Sequence, residues 1–160
     1  MHLQIDAPTS AYGLFQVAFA GLDTRLSRSV VALLCCKNTK PAFAVVRGMP
    51  FSRRLEILQK AIKTVTGNSH ISPEMEELEQ ACKLAKDVSK WRNDRIHSEV
   101  RFIENQPVIL DDEGKPLQID YETCVEKIRE AIRGGVAMEA SVPHLVAFEM
   151  DLYDLMDECS

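Results

Sequence analysis

The sequence predicts an all-α fold, an up-and-down bundle of four to five helices with a short β-hairpin inserted between the third helix and the next. Three observations predict it. Apolar residues recur three or four apart over most of the 160 residues, capping residues mark several helix starts, and the intervening connections are short. A chain of this length, nearly half apolar, supplies one core, so a single domain over 1–160 is expected.

The first helix is expected over residues 9 to 36, where Leu14, Phe15, Val17, Ala18, Leu22, Leu26, Val30, Leu33 and Leu34 repeat at helical spacing and Thr9 or Ser10 can cap the start. Segment 37 to 51 contains Pro41, Gly48 and Pro50 and reads as a connection, with Ala42 to Val46 as a possible extended piece. In the second helix Ser52 is the cap, Leu55, Leu58, Ile62 and Val65 form the seam, and Gly67 is the stop. The third helix has the clearest start. Ser72 is a capping type, Pro73 suits the first helical position, and Glu74, Glu76 and Glu77 favour the positive end of the helix dipole. It is expected to run to about Ser98.

After it, residues 108 to 119 read as two short strands around a turn at Asp111 to Lys115. The acidic cluster Asp111, Asp112 and Glu113 lacks the alternate-position pattern of a calcium loop, which favours a solvated turn. A fourth helix begins at Asp120, uses Val125, Ile128 and Ile132, and meets Gly134 and Gly135 as a stop. The fifth starts near Pro143, with Leu145, Phe148, Leu152 and Leu155 or Met156 as its seam.

Several function classes recede on composition alone. No apolar run reaches the roughly 18 residues of a membrane span, and the N-terminus lacks the basic and apolar regions of a secretory leader, so no membrane association and a cytoplasmic location are expected. The five cysteines, Cys35, Cys36, Cys82, Cys124 and Cys159, show no metal-ligand spacing and read as thiols in a reducing compartment; neither a metal nor a cofactor is called for. The net charge is -5 but unevenly spread. Residues 37 to 63 carry seven basic residues against Glu56 alone, whereas the tail from Glu139 carries six acidic residues and no basic one. The two regions can pair within the fold or between subunits, or the basic one can bind anions.

The third helix carries the chemistry. On a wheel of about 100° per residue, Leu78, Cys82, Ala85, Ser89 and Ile96 form its apolar stripe. Arg92 falls about 40° to one side of the stripe and Asn93 about 60° to the other, with His97 near 100° beside Asn93. An arginine at such a margin needs an anion or carbonyls to satisfy its donors. In a structural reading Arg92 pairs with a carboxylate of a neighbouring helix and His97 favours the helix C-terminus. In a functional reading Arg92 binds a phosphate, Asn93 orients His97 or substrate, and His97 moves protons. Lys90 and Arg95 would then contribute substrate-binding charge. Trp91 points away from the stripe, towards another helix or a subunit contact, and His2, His70 and His144 read as loop or surface residues.

The run Arg92, Asn93, Asp94, Arg95, Ile96, His97 resembles the Rx4-6H motif of the HEPN superfamily, including the Asn after the Arg and the small Ser98 after the His. HEPN domains are small helical bundles with this motif late in one helix, a plan similar to that of nearly the whole chain. The resemblance implies metal-independent endoribonuclease chemistry at a composite site formed across a homodimer, with Arg92, Asn93 and His97 as catalytic residues and RNA as the partner. It also implies a role in stress response or defence, and a nucleotidyltransferase-like antitoxin as a further partner. Toxin members modified by such a partner carry a tyrosine two places after the histidine, where this chain has Glu99, which puts that control in doubt. Other members are catalytically silent modules that dimerise and bind a protein or nucleotide, and that alternative stays open, as does a structural bundle of another family.

Overall fold

The computed structural model describes residues 7–34, 38–66, 72–96, 99–103, 106–110, 113–116 and 120–158. Its elements are α1 (Ala7–Leu33), α2 (Thr39–Arg47), α3 (Phe51–Thr66), α4 (Pro73–Ile96), β1 (Glu99–Ile103), β2 (Gln106–Leu110) and α5 (Tyr121–Glu158). The helices pack as a bundle around one apolar cluster that includes Phe15, Leu22 and Leu26 of α1, Leu58 and Ile62 of α3, Leu78 and Val88 of α4, and Met138 and Leu145 of α5. Among the described residues no helix is long and apolar enough to cross a membrane.

Local chemistry sets several boundaries. Ser72 precedes α4, where its Oγ accepts the Met75 amide at 3.4 Å and its carbonyl accepts the Met75 and Glu76 amides. Asp120 caps α5: one carboxylate oxygen accepts the Thr123 amide at 2.9 Å and the Thr123 hydroxyl at 2.6 Å. The second expected helix begins one residue earlier than its proposed cap, at Phe51, with the Pro50 carbonyl accepting the Arg53 and Arg54 amides.

Three expectations need correction. Residues 42 to 46 are helical, not extended, because Pro41 lies in the first turn of α2, where its missing N–H costs no helical bond. The same turns bury Val46 and half-bury Ala42 and Phe43, a helical spacing.

The two helices expected after Asp120 are one continuous helix, α5, which passes through Gly134, Gly135 and Pro143. The seam explains the continuity, since Cys124, Ala131, Met138 and Leu145 are all buried and repeat every seven residues across both supposed breaks. Each glycine faces a neighbouring helix. A Cβ on Gly134 would meet the Ala81 carbonyl oxygen of α4 at 3.4 Å, an ordinary contact, whereas one on Gly135 would lie 3.6 Å from the Leu22 Cα and 2.7 Å from the Arg25 Cδ of α1. The helices α4 and α1 therefore flank α5 on adjacent sides, with the tighter fit at Gly135. Pro143 is exposed, so its ring faces solvent while the helix forgoes one hydrogen bond.

The strand pairing expected over 108 to 119 also shifts. β2 pairs antiparallel with the preceding segment, Glu99 opposite Leu110 and Ile103 opposite Gln106. Across the expected turn the described residues form a single bridge, Leu110 with Pro116. Leu110 is buried and Val108 half-buried.

Cross-helix contacts fix the directions. Leu22 meets Gly135 and Arg25 reaches Glu139 at 2.8 Å, so α1 and α5 run parallel. Gln16 meets Arg92 and Tyr12 meets Arg95, so α4 runs antiparallel to α1. Phe19 faces Phe51 while Asp23 faces Arg54, so α3 runs parallel to α1. This arrangement sets the start of α3 beside the last two turns of α4, with the middle of α1 as a floor.

Candidate functional site

Arg92 and Asn93 meet at the place where α1, α3 and α4 converge. Arg92 is half-buried; its Nε donates to Gln16 Oε1 at 3.3 Å, and its guanidinium carbon lies 4.6 Å from the centroid of the Phe19 ring. A ring and a neutral amide hold it, and among the described residues no acceptor takes its two terminal nitrogens. Among the described residues no carboxylate comes within ion-pairing distance of it, so the intramolecular partner of the structural reading is not among them.

Arg92 and Asn93 line a cavity of about 460 Å³ together with Gln16, Phe19, Ser52 and Ser89. Phe51 and Ser52 are the first residues of α3, and their amides have no carbonyl one turn earlier in that helix to bond. Asp23 is also in the wall, but its Oδ1 is bound by Arg54 Nη2 at 2.6 Å. The cavity is therefore donor-rich: a guanidinium, two hydroxyls, two side-chain amides and a helix start, with its one carboxylate bound to Arg54.

A second cavity, about 600 Å³, opens between α3 and α4 and is lined by Leu55, Gln59, Lys86 and Lys90 among others. Asn93 is exposed and borders both cavities, whereas Lys90 borders only the second. Arg95 borders neither. It lies 4.1 Å over the Trp91 ring and donates to the Trp91 carbonyl at 3.1 Å. Trp91 itself packs inward on α1, edge-on to Phe15 with centroids 4.6 Å apart. Tyr12 completes this aromatic cluster, and burial pushes its phenol above the usual range.

His97 and Ser98 lie outside the described residues, as do His2 and His70. His144 is exposed on α5. Of the three expected catalytic residues, Arg92 and Asn93, neighbours in the chain, line one cavity.

Sequence reasoning missed the residues that build the walls. Arg54 is 3% exposed and bridges α3 to α1 through the Asp23 carboxylate, the Asp23 carbonyl at 3.2 Å and the Ser27 hydroxyl. A signal was available, because Asp23 and Ser27 stand four apart beside the seam of Leu22, Leu26 and Val30, where polar side chains need a partner. Gln16, Phe19 and Phe51 gave none: a polar residue and two aromatics at helical spacing read as ordinary surface and core.

Comparison with protein-family models, with curated proteins and with solved structures gives no match to this chain.

Proposed function

We propose that this protein is a metal-independent endoribonuclease of HEPN type, acting as a homodimer in stress response or defence. One observation carries the reading: Arg92 presents a guanidinium with no carboxylate partner among the described residues, at a donor-lined cavity that Asn93 shares. That chemistry suits a phosphodiester. The ribose 2′-oxygen attacks phosphorus as His97 of one subunit takes its proton; the bond from phosphorus to the 5′-oxygen breaks, and the second His97 protonates the leaving oxygen. Arg92 stabilises the charge gathering on the phosphoryl oxygens and Asn93 holds the geometry. RNA is the substrate because DNA lacks the 2′-nucleophile.

The test incubates the purified chain with single-stranded RNA in EDTA beside its His97→Ala variant. Cleavage by the first and not the second is expected; equal cleavage by both removes the assignment.

A specific contact set favours a second reading, a silent HEPN-like module that dimerises and binds a protein or nucleotide. Gln16 and Phe19 fasten Arg92 to α1, so the arginine also braces the bundle. Under that reading Arg92→Ala unfolds the protein or yields monomers, whereas the ribonuclease reading expects a folded, inactive dimer.

A further inference from the structure

A third cavity lies between the last turns of α1 and the first half of α2. It encloses about 480 Å³ and is lined by Arg28, Val31, Ala32, Thr39, Lys40 and Phe43, none of which lines the Arg92 cavity.

Its charges are of one sign. Arg28 reaches the Glu139 carboxylate only at 3.4 Å, and Arg25 already holds that carboxylate at 2.8 Å. Lys40 stands in the first turn of α2, which contains no acidic residue, and the Asn38 side chain before it makes no capping hydrogen bond. A helix usually places an acid or a capping oxygen at its positive end; α2 places a cation there. The Thr39 and Lys40 amides open the helix, so no carbonyl of α2 accepts them. Two cations and a helix start therefore border a cavity that, among the described residues, no carboxylate lines.

The remaining walls are apolar. Val31 is buried, Phe43 half-buried and Ala32 exposed. A small hydrated anion leaves those walls against water, whereas a neutral apolar molecule gives the cations nothing to bind. A monoanion with an apolar body satisfies both, and the volume is of the size that holds small ligands.

We infer that this cavity binds a small amphipathic carboxylate, its head between Arg28 and the start of α2 and its chain along Val31, Ala32 and Phe43. The inference is independent of the proposed function, since Arg92 and Asn93 line a different cavity and failure of either assignment leaves the other standing.

The experiment titrates the full, isotope-labelled chain with octanoate, with acetate and with octan-1-ol, following backbone amide signals by NMR. Octanoate is expected to bind about tenfold or more tightly than either control and to move the Val31, Thr39 and Lys40 amides. Arg28→Gln and Lys40→Gln, both at exposed positions, should each weaken octanoate by about fivefold and leave octan-1-ol unchanged. Ala32→Trp, also at an exposed position, fills the cavity and should abolish octanoate binding, with an unchanged spectrum outside α1 and α2 as the check on folding. Octanoate that binds no more tightly than octan-1-ol, or that neither charge variant weakens, overturns the carboxylate head. Binding indifferent to Ala32→Trp, or amide shifts confined to other elements, overturns the cavity. No octanoate binding overturns both.

Discussion

Arg54 Nη2 lies 2.6 Å from Asp23 Oδ1, a buried guanidinium on α3 held by a carboxylate on α1 at the edge of the Arg92 cavity. Removing one partner of such a pair strands the other charge, at a cost of about 3–5 kcal/mol when burial is complete. Among the described residues the Arg54 Nε has no hydrogen-bond partner, so the site has little slack. Asp23→Ala should therefore lower stability by about 3 kcal/mol, whereas Arg54→Met, which leaves behind only the more exposed Asp23 carboxylate, should cost less. Urea unfolding of both variants checks the order; a larger loss in Arg54→Met contradicts it.

The glycines of α5 make a second prediction. A methyl group on Gly134 meets its neighbours at ordinary contact distance, so Gly134→Ala should raise stability by up to about 1 kcal/mol through helix propensity. Gly135 faces the Leu22 backbone. There a leucine has to separate α1 from α5, and Gly135→Leu should cost about 1–3 kcal/mol from overpacking. Thermal unfolding distinguishes them, and equal midpoints for the two variants would discount close approach.

Asp120 sets a pH dependence. Hydrogen bonds from the Thr123 hydroxyl, and then from the Thr123 amide, hold its carboxyl below the usual aspartate range. A lowered folded-state value means that the stabilisation is present above the unfolded value, about 3.9, and is lost as pH falls through the folded one. Asp120→Asn keeps an acceptor for the amide but does not titrate. The advantage of the wild type over this variant should be largest near neutral pH and shrink as pH falls through the folded-state value, as read from urea midpoints at each pH. A constant difference would contradict this.

Burial pushes the Cys82 thiol up to about 12, so the folded protein holds little nucleophilic thiolate there at pH 8. Iodoacetamide at that pH should leave Cys82 unmodified in buffer and alkylate it in denaturant. Site-resolved mass spectrometry reads the result, and rapid native labelling would show that α4 opens.

The local features were legible in the sequence because each depends on residues within about one helical turn. Ser72 before Pro73, a helix start at Asp120, and Arg92 and Asn93 at the margins of an apolar stripe all follow from spacing alone. Gly134, Gly135 and Pro143 misled the same reasoning. Their intrinsic preference is to end a helix, and only packing against α1 and α4 overrides it.

By itself, then, the sequence determined where most helices start, which faces turn inward, and that a cation stands at the edge of the α4 seam. Only the tertiary structure decided what surrounds that cation. Gln16 is 76 positions from Arg92 and Asp23 is 31 from Arg54, and no periodicity in one helix encodes which turn of another will lie against it. The physical reason is that helix register is a property of the whole packed core, settled by the fit of side chains from several elements at once.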